Sequence, residues 1–153
     1  ALPISAGVPH KEGEAIRAAY LDLNWSIDTI AQSTTVMKCC GYTWQWNPIN
    51  SIWYWLKSEK DRFSTLCQGS GSYVCDMWVE GIHNICIQRF GSNAKAVGEF
   101  HDEVILRHRD NDKAKSIMGG IVKQSIVQVN SMLKLNTTLD CEVQFGANYA
   151  QIH

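Results

Sequence analysis

The pattern of apolar and polar positions changes character several times along this chain. From Glu12, apolar residues recur at steps of three and four, which predicts one amphipathic helix ending near residues 33–36. Aromatic residues then alternate with polar ones over 42–46, which predicts a strand. A turn at 47–51 leads to a return strand at 52–56. The apolar stripe of the helix consists of Ile16, Tyr20, Leu23, Ile27 and Ile30.

The second half of the chain predicts two more helices, from about Asp61 to Glu80 and from about Asn111 to Leu133. A loop, a short apolar piece and a turn at Gly91-Ser92-Asn93 lie between them, followed by a tight hairpin around residues 101–103. Strict alternation over 139–145 predicts a last strand with one wet face. The expected buried stripes are Phe63, Leu66, Cys67, Val74, Met77 and Trp78 in the first of these helices, and Ile117, Ile121, Val122, Ile126 and Val129 in the second.

Two predicted helices carry glycines in their middle, namely Gly69 with Gly71, and Gly119-Gly120. A glycine inside a helix costs about 1 kcal/mol relative to alanine, so another group is expected to approach the backbone closely there. At Gly69 and Gly71 that group is either another core element or a nucleic-acid strand. At Gly119-Gly120 we expect packing on a sheet.

Five of the six tryptophans lie between residues 25 and 55. One interpretation is that they form the core of a small unit made of a helix and a hairpin. The alternative is that they stack on unpaired bases, although their neighbours are apolar rather than Lys or Arg.

Composition limits the function classes. With 153 residues, 45% of them apolar and 19% charged, the chain fits one globular domain, and no apolar run is long enough for a membrane span. A net charge of −1 predicts no strong attraction of the whole protein to DNA, so contacts would come from local basic patches or another chain. The six cysteines show no Cys-x-x-Cys spacing, and we expect reduced, mostly buried thiols in a cytoplasmic protein.

The predicted hairpin tip carries His101-Asp102-Glu103. Adjacent carboxylates repel each other, and a divalent cation removes that cost. Neighbouring strand residues point to opposite faces, so one of Asp102 and Glu103 is the expected magnesium ligand and the other a supporting carboxylate. Magnesium takes one or two carboxylates plus substrate phosphates, so a second carboxylate must come from elsewhere. The competing interpretation is a set of solvated turn residues.

Rival motifs do not fit the same residues. His101-x-Glu103 matches the first half of the zinc deaminase signature, but the Pro-Cys-x-x-Cys half is missing. There is no His-Glu-x-x-His helix, no Walker loop and no complete dinucleotide-binding glycine motif. A Ser-His-Asp triad can be assembled on paper, as from most chains.

Three ordered blocks resemble family A DNA polymerases, in particular the bacteriophage branch. Phe100 to Val104 is similar to the palm hairpin with its His-Asp-Glu motif C, and residues 60–73 resemble the preceding helix with its Gln-Gly-(Thr/Ser) centre. Residues 139–149 are similar to the last strand and its Gly-x-Asn-(Tyr/Trp) ending. Residues 20–25 and Asn47-Pro48 resemble the phage branch.

The resemblance implies a role for each matching position. Asp102 would be a catalytic metal ligand for Mg²⁺, Glu103 its supporting carboxylate, and His101 a neighbour of the primer-terminal nucleotide. Gln68 would reach the DNA minor groove. Lys60, Arg62 and Ser64 fall in the segment that holds the primer-template backbone.

The family's other catalytic aspartate (motif A) and its triphosphate-binding helix (motif B) have no counterpart here. The start at Ala1-Leu2-Pro3 matches the position just after that helix, so the chain resembles the last third of a polymerase. Residues 1–59 would be the end of the fingers and 60–153 the distal palm. The expected fold is α+β: an antiparallel palm-type sheet with a central β-hairpin on two or three helices, plus an N-terminal helix and a Trp-rich hairpin.

The expected activity is nucleotidyl transfer of dNTPs onto primer-template DNA by a two-metal mechanism. It would require a partner chain that carries motifs A and B, and it would take place in the cytoplasm, that of the infected host if the chain is viral. The alternative is a non-catalytic DNA- or replisome-binding module derived from a palm.

Overall fold

The computed structural model describes residues 7–91 and 95–152, without the side chain of Lys95. Residues 1–3, which the resemblance matches to the position just after the triphosphate-binding helix, lie outside the described residues. So does most of the predicted turn at 91–93. The chain has an α+β fold, as expected, and forms two compact units, Ala1–Gly69 and Ser70–His153. None of its described helices combines the length and apolar character that crossing a membrane requires.

The N-terminal helical region is broken, whereas the sequence predicted one continuous helix. Helix α1 spans His10–Leu23 and helix α2 spans Trp25–Ser33. At Asn24 the backbone leaves the helical region (φ −111°, ψ 44°), and the Asn24 side chain donates to the Tyr20 carbonyl oxygen. This bond to the preceding turn is typical of asparagine, which competes with the helical ladder.

Three strands follow, β1 (Val36–Cys39), β2 (Tyr42–Asn47) and β3 (Ile52–Trp55). They form an antiparallel sheet in the order β1-β2-β3. The predicted strands at 42–46 and 52–56 are confirmed, while β1 was not predicted. Cross-strand pairs such as Trp44–Trp55 and Trp46–Trp53 put these tryptophans on one face.

The buried face of this sheet is polar, and the aromatic face is the outer one. Gln45 and Asn47 are each 1% exposed. The Gln45 side-chain nitrogen donates to Thr34 Oγ1 and to the Arg62 carbonyl oxygen, so this buried donor group has partners. The expectation that the tryptophans form the core of this unit is therefore wrong, because the inward positions of β2 are those that hydrogen-bond to the neighbouring backbone.

Helix α3 spans Arg62–Phe90 and passes from the first unit into the second. The predicted helix end at Glu80 and the loop after it are wrong. In the second unit its buried positions are Cys75, Trp78, Ile82 and Cys86. Cys67, which was expected to be buried, is exposed.

The mid-helix glycine of the first unit has a packing cause. A Cβ on Gly69 would lie 2.8 Å from the Tyr54 ring, so a core element makes the predicted close approach there. Gly71 has nothing within 4 Å of the equivalent position.

The second unit packs a hairpin and helix α4 on α3. Strands β4 (Lys95–Phe100) and β5 (Glu103–Arg107) pair antiparallel. Helix α4 spans Asp112–Leu133, as predicted, and its N-cap Asn111 accepts a hydrogen bond from the Ala114 amide. Its buried residues form one cluster with those of α3, on which Val104 and Leu106 of β5 pack. The buried face of α4 consists of Met118, Ile121, Val122, Ser125, Ile126 and Val129.

Residues 139–145 run along this cluster without forming a strand. Leu139, Cys141 and Val143 are half-buried and alternate with exposed residues, as the pattern predicted, whereas Phe145 is exposed. Within residues 7–91 and 95–152, no strand pairs with the segment. Asn130 of α4 holds it instead, by donating to the Leu139 carbonyl oxygen and accepting from the Leu139 amide. A Cβ on Gly119 would lie 3.7 Å from the Phe145 ring, so this glycine faces the extended segment and not a sheet.

Candidate functional site

The hairpin tip consists of two residues, His101 and Asp102, between the paired residues Phe100 and Glu103. His101 has a φ of +55°, a left-handed conformation that is costly for a residue with a Cβ. A two-residue hairpin loop takes a positive φ at its first position in both of its favoured turn types, so the turn itself accounts for this conformation. Both tip residues are exposed to solvent.

The tip is held by the strand that follows it. Val104 and Leu106 pack on the buried cluster of the second unit and anchor β5. Glu103 is half-buried and, as a strand neighbour of Val104, points to the opposite face. On the other side of the tip, the Phe100 ring lies 6.4 Å from the Tyr149 ring. The structure thus keeps His101, Asp102 and Glu103 together at one anchored corner.

Negative charge accumulates beside this corner. Burial raises the pKa of the Cys75 thiol on α3, and the carboxylates of Glu99, Asp76 and Asp102 raise it further. A carboxylate disfavours a thiolate only when the two groups are close, so the charges of the hairpin act on the α3 surface.

Asp102 and Glu103 line a cleft of about 620 Å³ in the second unit. Asp140 and Glu142, from the extended segment, line the same cleft. The cleft therefore offers carboxylate oxygens, the donor type that Mg²⁺ prefers. Within residues 7–91 and 95–152, no group of three or more His, Cys, Asp and Glu side chains is close enough to hold a metal ion.

The sequence predicted Asp102 and Glu103 at the site but did not assign Asp140 and Glu142 to it. Those two carboxylates occupy the wet positions of the alternating segment 139–145. The alternation shows that they face solvent, but only tertiary packing brings them to the hairpin.

The residues predicted to contact DNA lie in the first unit. Lys60 and Gln68 are exposed. Ser64 is exposed, and its hydroxyl donates to the Asp61 carbonyl oxygen. The Arg62 side chain is only 13% exposed, and its guanidinium donates to the Thr34 carbonyl oxygen at 2.8 Å.

Arg62 therefore holds the first unit together. It also donates to Gln32 Oε1 at 3.1 Å and forms an ion pair with Glu59. A guanidinium with these partners would have to give some of them up to bind a phosphate.

In comparisons with known proteins, no family model matches this chain, and no curated protein sequence matches it either.

Proposed function

We propose that this chain is the C-terminal piece of a DNA-directed DNA polymerase of family A type, a nucleotidyltransferase. The observation that carries the proposal is the solvent-exposed Asp102 carboxylate at the anchored tip of the β4–β5 hairpin. The sequence resemblance of the tip and of the blocks on either side of it supports the same role.

Each tip residue has a part in this proposal. Asp102 supplies one negative oxygen ligand to a catalytic Mg²⁺ site, and Glu103 supports it from the adjacent position. His101 faces the primer terminus. Magnesium ions, when bound, supply charge neutralisation at the phosphates of the incoming dNTP. The second catalytic carboxylate and the triphosphate-binding side chains belong to a companion polypeptide.

A solvent-exposed apolar stripe on α1 supports the existence of a companion polypeptide. Ile16, Tyr20 and Leu23 are 57%, 55% and 82% exposed, although their spacing places them on one side of the helix. Apolar residues that are exposed together on one side of a helix are typical of protein interaction sites. We assign this stripe to the companion that completes the polymerase.

The test is to purify the tagged chain from its native source together with the polypeptides bound to it. Primer extension is then measured with Mg²⁺ and dNTPs. We expect extension by the complex and none by the isolated chain. Extension by the isolated chain would contradict the requirement for a companion, and a complex without extension would contradict the enzymatic role.

Matched variants locate the site within that complex. Asp102→Asn keeps the shape of the side chain but removes its charge, and we expect it to abolish extension. Asp110→Asn, another exposed aspartate of the second unit, should leave extension unchanged. A complex with Asp102→Asn that extends primers at the wild-type rate would remove Asp102 from the metal site. Leu23→Glu should reduce recovery of the companion without changing the helical content of the chain.

A second candidate is a binding module without chemistry, and the outer sheet face favours it. This face presents Tyr42, Trp53 and Trp55 to solvent, and Lys57 Nζ lies 5.3 Å from the centre of the Trp55 ring. No acidic residue occurs between Asp28 and Glu59. Exposed aromatic rings beside a cation, in a stretch of sequence without acidic residues, suit stacking on unpaired bases.

This candidate is tested with the isolated chain by electrophoretic mobility shift on single-stranded DNA. We expect Trp53→Ala and Trp55→Ala each to weaken binding, by about 1–3 kcal/mol per stacked base. Trp25→Ala removes an exposed tryptophan of α2 and serves as the control. Equal affinity of all three variants and the wild type would exclude the sheet face as a DNA site.

A further inference from the structure

Cys39 and Cys40 form a pair of exposed thiols at the β1–β2 turn. Cys39 pairs with Tyr42 across a two-residue loop, Cys40-Gly41, whose φ angles are +54° and +78°. Two positive φ angles define the type I′ turn, which fits the natural twist of a hairpin. The turn brings the two sulfur atoms to within 3.4 Å of each other.

A disulfide bond between Cys39 and Cys40 is geometrically unfavourable. The described chain has no cis peptide bonds, so the neighbouring Cα atoms lie about 3.8 Å apart. Disulfides normally need Cα atoms about 4.4–6.8 Å apart. A bond between Cys39 and Cys40 would therefore be strained and readily reduced. An atom inserted between the two sulfurs does not require them to approach bonding distance.

The stretch of sequence around the pair supplies no carboxylate ligand. The chain from Thr29 to Ser58 contains no Asp or Glu, so the two cysteines are the metal-binding side chains that this stretch offers.

We propose that Cys39 and Cys40 form a chelating dithiol site for a soft, thiophilic centre that accepts two thiolates. Soft thiolate ligands select this class of ion over hard cations such as Mg²⁺. The site lies on the sheet of the first unit, whereas the candidate polymerase carboxylates lie on the second unit. The proposal therefore does not depend on the polymerase function.

Phenylarsine oxide is the diagnostic probe, because its trivalent arsenic bonds two neighbouring thiols at once. Two arsenic–sulfur bonds form, and the arsenic-bound oxygen leaves as water with the two thiol protons. No electron transfer is needed. One phenylarsenic group should therefore add to the full chain, with the loss of two hydrogens, and this change is read by intact-protein mass spectrometry.

We expect excess 2,3-dimercaptopropanol to remove the adduct, while the same thiol concentration as 2-mercaptoethanol leaves it in place. Removing one thiol should weaken binding about 100-fold or more, because the second bond is no longer intramolecular. The variants are Cys39→Ser and Cys40→Gly, the latter suited to the left-handed backbone at that position. Circular dichroism confirms that each variant folds.

Cys67→Ser is the matched control, since Cys67 is also an exposed free thiol of the first unit but has no adjacent cysteine. It should bind the arsenical as the wild type does. Wild-type affinity in Cys39→Ser and Cys40→Gly, loss of the adduct in Cys67→Ser, or removal of the adduct by the monothiol would each overturn the proposal.

Discussion

The Trp78 indole nitrogen donates a hydrogen bond of 3.1 Å to the main-chain oxygen of Val122, which joins α3 to α4. The Ser125 hydroxyl makes a return bond of 2.9 Å to the main-chain oxygen of Trp78. Gly81 provides the space for this exchange, because a Cβ at that position would overlap the Ser125 hydroxyl. The two helices that support the candidate site therefore meet at a position where a side chain is missing.

Gly81→Ala is expected to lower the free energy of unfolding by about 1–2 kcal/mol. Overpacking costs about 1–3 kcal/mol, which exceeds the gain of about 1 kcal/mol in helix propensity. Ser125 is fully buried and has little room to move away. Urea unfolding of the wild type and of Gly81→Ala measures the difference in the free energy of unfolding. Gly120→Ala, where a Cβ meets nothing within 4 Å, should instead stabilise the chain.

The same measurement on Gly81→Ala combined with Ser125→Ala separates the clash from other effects. Removal of the hydroxyl should recover much of the loss caused by Gly81→Ala, so that the two changes are not additive. Strict additivity would show that the contact between Gly81 and Ser125 is not the cause.

Arg62→Ala is expected to destabilise the first unit by about 1–3 kcal/mol, because the Thr34 carbonyl oxygen loses its charged donor. Lys60→Ala, at an exposed position two residues earlier, should stay within about 0.5 kcal/mol of the wild type. Thermal unfolding followed by circular dichroism compares the two. If both variants unfold like the wild type, the Arg62 contacts do not stabilise the unit.

Acidification should loosen the extended segment from α4. The hydrogen bond from Lys123 holds the pKa of Asp140 below its ordinary value of 3.8. Because the folded-state pKa of Asp140 is lowered, its contribution to stability is present at pH values above its ordinary pKa. That contribution is lost as the pH falls through the folded-state pKa. Melting temperatures of the wild type and Asp140→Asn should therefore differ at neutral pH and converge in strong acid.

Lys123, the partner of Asp140, should lose its contribution to stability at high pH. The same hydrogen bond raises the pKa of Lys123 above 10.5. The contribution of Lys123 to stability is therefore present at pH values below its ordinary pKa and is lost as the pH rises through its folded-state pKa. A difference between wild type and Asp140→Asn that does not change with pH would contradict the ion pair.

Asp102→Asn should lower the pKa of the Cys75 thiol, because one of the carboxylates that disfavour its thiolate loses its charge. The change should be small, since burial is the largest cause of the raised value. A titration of the cysteine β-carbon chemical shift by NMR measures it. Asp110→Asn is the control and should leave the titration unchanged. An unchanged or raised Cys75 pKa in Asp102→Asn would place that carboxylate away from α3.

Local signals were sufficient for some elements. Helix α4 carries an asparagine cap and a regular apolar stripe, so its bounds and most of its buried face follow from the sequence. Ile117 was expected to be buried and is half-buried, whereas Met118 and Ser125 are buried and were not predicted. The end of α3 does not follow from the sequence, because Gly81 resembles a helix stop. A glycine stands at position 81 because Ser125 of α4 approaches the helix backbone there. Ser125 is 44 residues away in sequence, so no local pattern reveals this contact.

The sheet of the first unit shows a different limit of sequence analysis. Alternation over β2 correctly predicts a strand, but it does not say which face is buried. Apolar side chains usually face inward, and here Gln45 does so because Thr34 and the Arg62 backbone supply its partners. Likewise, the tip residues 101–103 were identified from a local motif, whereas Asp140 and Glu142 reach the cleft only through the packing of the C-terminal segment.

Because the sheet of the first unit carries its tryptophans on the outer face, tryptophan fluorescence can report on that face. Of its six tryptophans, Trp78 alone is buried, and the others are exposed or half-buried. Intrinsic fluorescence should therefore arise mainly from water-contacting indoles and be readily quenched by acrylamide. Any molecule that covers the outer face would shift the emission to the blue and shield it from the quencher, so occupancy of that face can be followed without attaching a dye.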